Sequence, residues 1–252
     1  MSMEHISKAQ VKLVRSLQQK KFRDETGWFV AEGDKCVEEL RKGFELVYRI
    51  QSTAHDAQKD ALLASATEIE QMSGLRAPQG VIGVFKKRDS GLANERINGL
   101  VVALDGIQDP GNLGTIIRTA DWFGVRDIFC SPDTADCYNP KVVQATMGAL
   151  ARVRLHYVDL PTFLRAYSGP VYGTLLEGKN MYAELARDTE NKRNEGIIVM
   201  GNEGNGISSA VREYITHPLR IPSYPAHAET SESLNVSIAT AIVLAEFRRL
   251  AQ

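Results

Sequence analysis

LDGIQDPGNLGTIIRTADWFG, residues Leu104 to Gly124, decides how the rest of this chain is read. It opens at the end of an apolar run, Leu100 to Leu104, and crosses a polar loop holding Asp105, Gln108, Asp109 and Asn112. It then enters a helical stripe, Leu113, Ile116, Ile117, Ala120 and Phe123. That is a strand–loop–helix unit, and in open α/β sheets ligands bind outside the carboxyl ends of the strands. Read alone, Asn112 is the N-cap of the helix. Arg118 is evenly balanced between a surface pair with Asp121 at i,i+3 and a ligand for a phosphate-bearing substrate.

Downstream the same alternation continues. Apolar strands are expected at Leu100–Leu104, Asp127–Cys130, Arg152–Val158, Val171–Leu176, Gly196–Met200 and Leu219–Pro222. Helices are expected at Leu113–Phe123, Pro140–Ala149, Leu160–Tyr167, Ser208–Tyr214 and Ser233–Leu250. Short apolar strands between helices predict an α/β fold with a mostly parallel sheet covered on both faces. The final helix leaves little polar face, so it needs cover on more than one side, and a second copy of the chain is the favoured source.

Upstream lies a small α/β module: a helix from Lys8 capped by Ser7, a strand at Trp28–Ala31, a helix at Asp34–Lys42 stopped by Gly43, and a strand at Phe44–Ile50. A helix around His55–Ser65 and a strand at Gly80–Phe85 complete it. The charged stretch KKRDSGLANERIN, Lys86 to Asn98, suits a connection. The expected division is residues 1–88, a linker at 89–98, and a domain at 99–252.

The chain has 252 residues and a formal net charge of -1, so there is no global nucleic-acid signature. Local basic clusters occur before Phe22 and at Lys86–Arg88. The three cysteines, Cys36, Cys130 and Cys137, form no CxxC pair, which disfavours a disulfide framework or a cysteine-rich metal site. No secretory h-region or membrane-length apolar run is seen, and a cytoplasmic, metal-free, membrane-free protein is expected.

Two further segments carry polar residues beyond what turns and caps require. GIIVMGNEGNGIS, Gly196 to Ser208, runs a buried strand into GxxGxG spacing with Glu203 at its end. That is not the GxGxxG dinucleotide fingerprint, which argues against a nicotinamide-type nucleotide protein. The other segment, Ile221 to Asn235, crowds hydroxyls and an amide at the start of an otherwise apolar helix.

Together the three segments resemble the SpoU/TrmH family of the SPOUT class, ribose 2′-O-methyltransferases of RNA that use S-adenosylmethionine. The carrying residues are Asn112 and Arg118 in the first segment, Gly201-Asn202-Glu203-Gly204 in the second, and Ser233-Leu234-Asn235-Val236-Ser237 in the third, in family order over Leu100–Arg249. FVAEGDKCVEEL, Phe29 to Leu40, also looks like the small ribosomal-protein-like RNA-binding domain that often precedes this catalytic domain.

The resemblance implies a deep trefoil knot, an obligate homodimer, and a catalytic set of Asn112, Arg118, Glu203, Ser233 and Asn235. It implies an S-adenosylmethionine site made by Thr174, Leu175, Leu176, Glu177, Gly178, Met200, Gly201, Asn202, Gly204, Ile221, Pro222 and Leu234. It implies RNA held by the N-terminal module through Lys8, Lys12, Arg15, Lys20, Lys21 and Arg23. Ribosomal RNA is favoured over transfer RNA; a non-catalytic RNA-binding protein of the same fold is the rival. The stretch Ser223 to Ser231 is longer than the matching loop of many members.

Overall fold

The computed structural model describes residues 4–53, 60–88, 97, 99–187, 195–225 and 233–251. The first ninety residues build α1 (Lys8–Ser16), α2 (Lys20–Thr26), β1 (Trp28–Glu32), α3 (Asp34–Leu40), β2 (Leu46–Ser52), β3 (Ala61–Ala64), α4 (Ala66–Met72) and β4 (Val81–Lys86). There follow β5 (Leu100–Asp105), α5 (Pro110–Trp122), β6 (Asp127–Cys130), α6 (Pro140–Thr146), β7 (Arg154–Tyr157) and α7 (Leu160–Arg165). The remainder forms β8 (Val171–Asn180), α8 (Met181–Arg187), β9 (Gly196–Gly201), α9 (Ser209–Arg212), β10 (His217–Arg220) and α10 (Val236–Leu250). The chain divides into two compact units, Met1–Ser90 with Asp136–Arg152, and Gly91–Ala135 with Val153–Gln252. The α6 segment thus packs with the N-terminal unit, where sequence order places it in the C-terminal domain.

In the first unit, a four-stranded sheet runs β1-β4-β2-β3, antiparallel except for the β2–β3 pair. Val11, Val14 and Leu17 from α1, with Ile69 and Met72 from α4, seal one core against Val30, Ile50, Ile82 and Val84. An aromatic group of Phe29, Phe44, Phe85 and Tyr138 packs with ring centroids 4.8–6.2 Å apart.

The helix expected around His55–Ser65 is corrected. Residues 54–59 lie outside the described residues, and Ala61–Ala64 is strand β3, paired parallel with β2. A short apolar run does not by itself distinguish strand from helix. The helix begins only after Ser65, which forms a capping box with Glu68.

Arg23 is also corrected as an RNA ligand. It is 2% exposed, and its guanidinium donates to Asp136 at 2.7 and 3.2 Å and to the carbonyls of Leu17 and Gln18 at 2.9 and 3.0 Å. It ties the end of α1 to the α6 segment and has no free donor face to offer a phosphate. The Lys86–Arg88 cluster is likewise occupied: Lys86 pairs with Glu45 at 2.6 Å, Lys87 with Asp24 at 2.7 Å, and Arg88 lies over the Phe44 ring. Lys20 and Lys87 together hold the Asp24 carboxyl down to about 2.

The second unit carries the parallel sheet, ordered β10-β8-β9-β5-β6-β7. β5 is buried along its whole length. Val101 and Ala103 pack with Leu160, Leu164 and Val211 from α7 and α9. Successive strand residues point to opposite faces, so Val102 and Leu104 serve the other face, the side of α5 and α10. These two helices pack on each other.

At the far side of the sheet, Asp127 accepts from His156 Nε2 at 2.8 Å and from Arg154 through two bonds of 2.8 Å. Burial pushes its carboxyl up, but the His156 and Arg154 bonds outweigh it and hold the group at about 2. A depressed carboxylate contributes stability that is full above its unfolded value, near 4, and is lost as pH falls through the folded value. Asp127→Asn is therefore expected to lower neutral-pH stability by about 1–2 kcal/mol, partial solvation trimming the full effect of the shift. The gap from wild type should close in chemical-denaturation titrations between pH 4 and pH 2, and a gap independent of pH would contradict it.

Candidate active site

The chain leaves β5 for β6 and β7 on one side, then returns to β8 and β9 on the other. The switch in direction falls between β5 and β9, and a crevice outside their carboxyl ends is the place where such sheets bind ligands. β5 and β9 pair in register from Leu100↔Gly196 to Asp105↔Gly201, so their two loops start level.

The first loop delivers α5. Its N-cap is Asp109, not Asn112: Asp109 Oδ1 accepts the Asn112 N–H at 2.7 Å, and Pro110 takes the first turn. Starting the helix at Pro110 leaves the Asn112 side chain free of capping. Its Nδ2 donates to Glu203 Oε1 at 2.9 Å, and its Oδ1 accepts from Asn235 Nδ2 at 2.9 Å. Asn235 caps α10, its Oδ1 accepting from Ser237 N at 3.0 Å and Ile238 N at 3.4 Å.

The polarity of this relay is determined. Backbone N–H groups can only donate, so Asn235 turns its oxygen to α10 and its NH₂ to Asn112. Asn112 must then present its own NH₂ to Glu203, which accepts. Three residues separated by up to 123 positions in sequence meet here.

Arg118 projects from α5 as an exposed side chain. The pair with Asp121 does not form; Asp121 takes Arg126 at 3.2 Å instead. Among the described residues, no ion pair or hydrogen bond holds the Arg118 guanidinium. Ser233 is exposed beside the start of α10.

The residues expected to hold the cofactor come from three neighbouring strand ends. Along the β8–β10 pair the register jumps from Pro218↔Gly173 to Leu219↔Lys179, so Thr174–Gly178 bulges out of the sheet. At Gly178 a Cβ would sit 2.4 Å from the Leu219 carbonyl carbon, so only glycine lets the bulge close down on β10. Thr174 Oγ1 reaches Met200 Sδ at 3.7 Å, and Glu177 pairs with Arg212.

The β9 turn closes through Asn202 and Gly206, each N–H donating to the other's carbonyl at 2.9 Å. A Cβ on Gly201 would meet the Gly206 carbonyl carbon at 2.3 Å. Ile221 and Pro222 follow β10 directly, and Leu176 and Leu234 remain 68% and 49% exposed.

This set fits S-adenosylmethionine by its chemistry: main-chain edges of a side-chain-poor turn, and apolar side chains left in water at the same end of the sheet. One member differs. The Asn202 amide is engaged with protein at both ends, its Nδ2 donating to Gly106 O at 2.7 Å and its Oδ1 accepting from Gly204 N and Asn205 N at 2.9 and 3.0 Å. Among the described residues, no group of three or more His, Cys, Asp or Glu could hold a metal ion. No described helix is long and apolar enough to cross a membrane.

Residues 99–245 match the model of the SpoU rRNA methylase family. The chain belongs to the SpoU rRNA methylase family. Residues 8–83 match an MRM3-like substrate binding domain. The 23S rRNA (guanosine(2553)-2′-O)-methyltransferase RlmP of Bacillus subtilis is 31% identical over 97% of this chain and 98% of its own length. A TrmH-family protein from Porphyromonas gingivalis superposes with a TM-score of 0.83 at 37% identity, over 97% of this chain and 98% of that one. An rRNA methyltransferase from Sinorhizobium meliloti, solved with S-adenosylmethionine bound, gives a TM-score of 0.82 at 31% identity over 98% and 97%. In this SpoU chain, the Asn112–Glu203–Asn235 relay gathers at the β5 and β9 loops, and Arg118 stands exposed further along α5.

Proposed function

We propose that the protein methylates a ribose 2′-hydroxyl of ribosomal RNA, a guanosine being the favoured nucleotide, using S-adenosylmethionine. The observation that carries this is the Asn112–Glu203–Asn235 relay at the strand switch of a SpoU fold, on whose helix α5 Arg118 is exposed and, among the described residues, unpaired. Asn112, Arg118, Glu203, Ser233 and Asn235 are the reacting-site residues of this reading. Thr174–Gly178, Met200, Gly201, Asn202, Gly204, Ile221, Pro222 and Leu234 are its cofactor residues.

When bound, S-adenosylmethionine supplies an electrophilic methyl group on a sulfonium. The ribose oxygen must approach in line with the S–CH₃ bond, and positioning of that kind lowers a barrier by several kcal/mol. A guanidinium stays protonated below about pH 12, so Arg118 is poorly suited to take the hydroxyl proton. It is well suited to grip the adjacent phosphate bidentately and to stabilise negative charge growing on the 2′-oxygen. The proton leaves to water or to a phosphate oxygen. Glu203, accepting from Asn112, fixes the amide that lines the substrate side.

The finer architecture of this reading includes the trefoil knot and a homodimer. α10 buries Val236, Thr240, Val243, Leu244 and Phe247 within one chain, yet leaves Ile238 55% exposed and Leu234 beside it. Trp122, at the end of the neighbouring α5, is 85% exposed. A second copy laid on this stripe would cover it. The expected division, a catalytic domain at 99–252 joined to an RNA-holding module at 1–88, belongs here too, as does a cytoplasmic site of action.

RNA would be held by α1, where Lys8, Lys12 and Arg15 fall at i, i+4, i+7 on one exposed face. Lys20 and Lys21 lie beyond them, paired with Asp24 and Glu25 at 2.5 and 3.9 Å.

The test is transfer of labelled methyl from S-adenosylmethionine to purified ribosomal RNA and to transfer RNA, mapped by resistance of the modified ribose to alkaline cleavage. One protected position in ribosomal RNA is expected. Replacing Lys8, Lys12 and Arg15 by alanine should raise KM for RNA about tenfold and flatten its salt dependence. Methylation of transfer RNA alone, or of a base, would reject the reading.

A further inference from the structure

Gly106 is the first residue after β5, and everything in α5 hangs from it. Its φ of +71° is open to glycine and strained for other residues. Both of its main-chain polar groups are held by side chains, and those side chains come from opposite sides. Its N–H donates to Ser131 Oγ at 2.8 Å, from the end of β6. Its carbonyl accepts from Asn202 Nδ2 at 2.7 Å, from the end of β9.

Each holder is itself oriented. Thr134 Oγ1 donates to the Leu104 carbonyl at 3.2 Å, and Ser131 Oγ lies 3.1 Å from Thr134 Oγ1. With the Thr134 proton committed to Leu104, the Ser131 hydroxyl points at Thr134, and its lone pair is left for Gly106. Asn202 cannot flip, because its oxygen must face the Gly204 and Asn205 N–H groups. A third link lies alongside: the buried Asp105 carboxylate accepts Ser208 N at 2.7 Å, tying the end of β5 to the far end of the β9 loop.

We infer that Asn202 and Ser131 are positioning residues for the transfer proposed above, clamping Gly106 from both sides and so setting where α5 delivers Asn112 and Arg118 against the β9 turn. The inference rests on that functional reading. It moves Asn202 from the cofactor set to the hinge of the substrate loop. Neither residue touches substrate; each acts through Gly106.

Asn202→Asp separates this role from a cofactor contact. The substituted carboxylate still accepts from Gly204 and Asn205 but turns an oxygen toward the Gly106 carbonyl, so the bond becomes a repulsion. Protonation restores a donor. At pH 8, kcat should fall about 10- to 100-fold, while the dissociation constant for S-adenosylmethionine, measured by calorimetry, stays within about threefold of wild type. The ratio of variant to wild-type kcat should climb as pH is lowered toward 5. Ser131→Ala, a small deletion that the fold should accept, should show the same split with no pH-dependent recovery. In the double variant the loss should be smaller than the product of the two single losses, because both act on one residue.

The clamp is also read without turnover: the Gly106 amide should exchange slowly with solvent in wild type and faster in Ser131→Ala. A wild-type protein that methylates no RNA, yet shows this exchange pattern, would sink the functional reading and leave the clamp. Variants with wild-type kcat would overturn the inference, as would a loss carried by cofactor affinity, an Asn202→Asp deficit that ignores pH, or a Gly106 amide that exchanges freely in wild type.

Discussion

Arg118→Ala is expected to bind S-adenosylmethionine as wild type does and to transfer methyl groups about 10²- to 10³-fold more slowly. The guanidinium is exposed, and no described residue neutralises it, so its removal leaves the fold and the β9 turn untouched. The loss falls on substrate and transition state alone. Arg118→Lys sharpens this. Lysine keeps the charge but lacks the planar two-pronged donor face, so it should recover part of the rate, leaving a deficit of about tenfold or more. Single-turnover rates under saturating cofactor and RNA, beside calorimetric cofactor affinity, make the measurement. Near-wild-type turnover in Arg118→Lys would remove the bidentate clamp, and a matched loss of cofactor affinity in Arg118→Ala would place the arginine elsewhere.

Why the arginine stood evenly poised in the sequence, and stands clear in the structure, shows what a sequence can carry. The i,i+3 spacing to Asp121 was real, but Arg126, five residues beyond Asp121, captures the carboxylate. Nothing local announces that choice. Asn112 misled in a related way. It follows Pro-Gly and precedes an apolar stripe, so it reads as a cap, while Asp109 takes that role with Pro110 inside the helix. The strand alternation was legible because buried parallel strands are continuous apolar runs, and β5, β6 and β9 fall within a residue of their expected limits. The helices α2 and α8 were not, since neither carries an extended apolar stripe. Arg23 looked like one more surface cation among lysines. Its burial depends on Asp136, which lies 113 residues away. Long-range polar pairing of this kind has no periodic signature.

Asn112→Asp is expected to do the most damage for the smallest change in shape. The relay's polarity runs from the α10 amides through Asn235 and Asn112 to Glu203. An aspartate at this position can still accept from Asn235, but its other oxygen faces the Glu203 carboxylate. A donor–acceptor bond becomes a contact between like charges, and one of the two carboxyls will favour its protonated form. At neutral pH the variant should lose about 10²-fold or more in kcat, with about 1–2 kcal/mol of stability, limited by the exposure of the pair. The sign with pH is definite. Acidification protonates one carboxyl, which then donates to the other, so activity and stability relative to wild type should both recover as pH falls. Glu203→Gln is the opposite case: its amide oxygen can still accept from Asn112, so the relay survives and the loss should be small if the charge serves only to hold Asn112. Joining the two, Asn112→Asp with Glu203→Gln moves the charge across the bond and restores donor to acceptor. That double variant should regain neutral-pH stability, measured by thermal unfolding, and most of the lost turnover. If it is no better than Asn112→Asp alone, Glu203 does more than orient an amide, and its charge acts on the substrate directly.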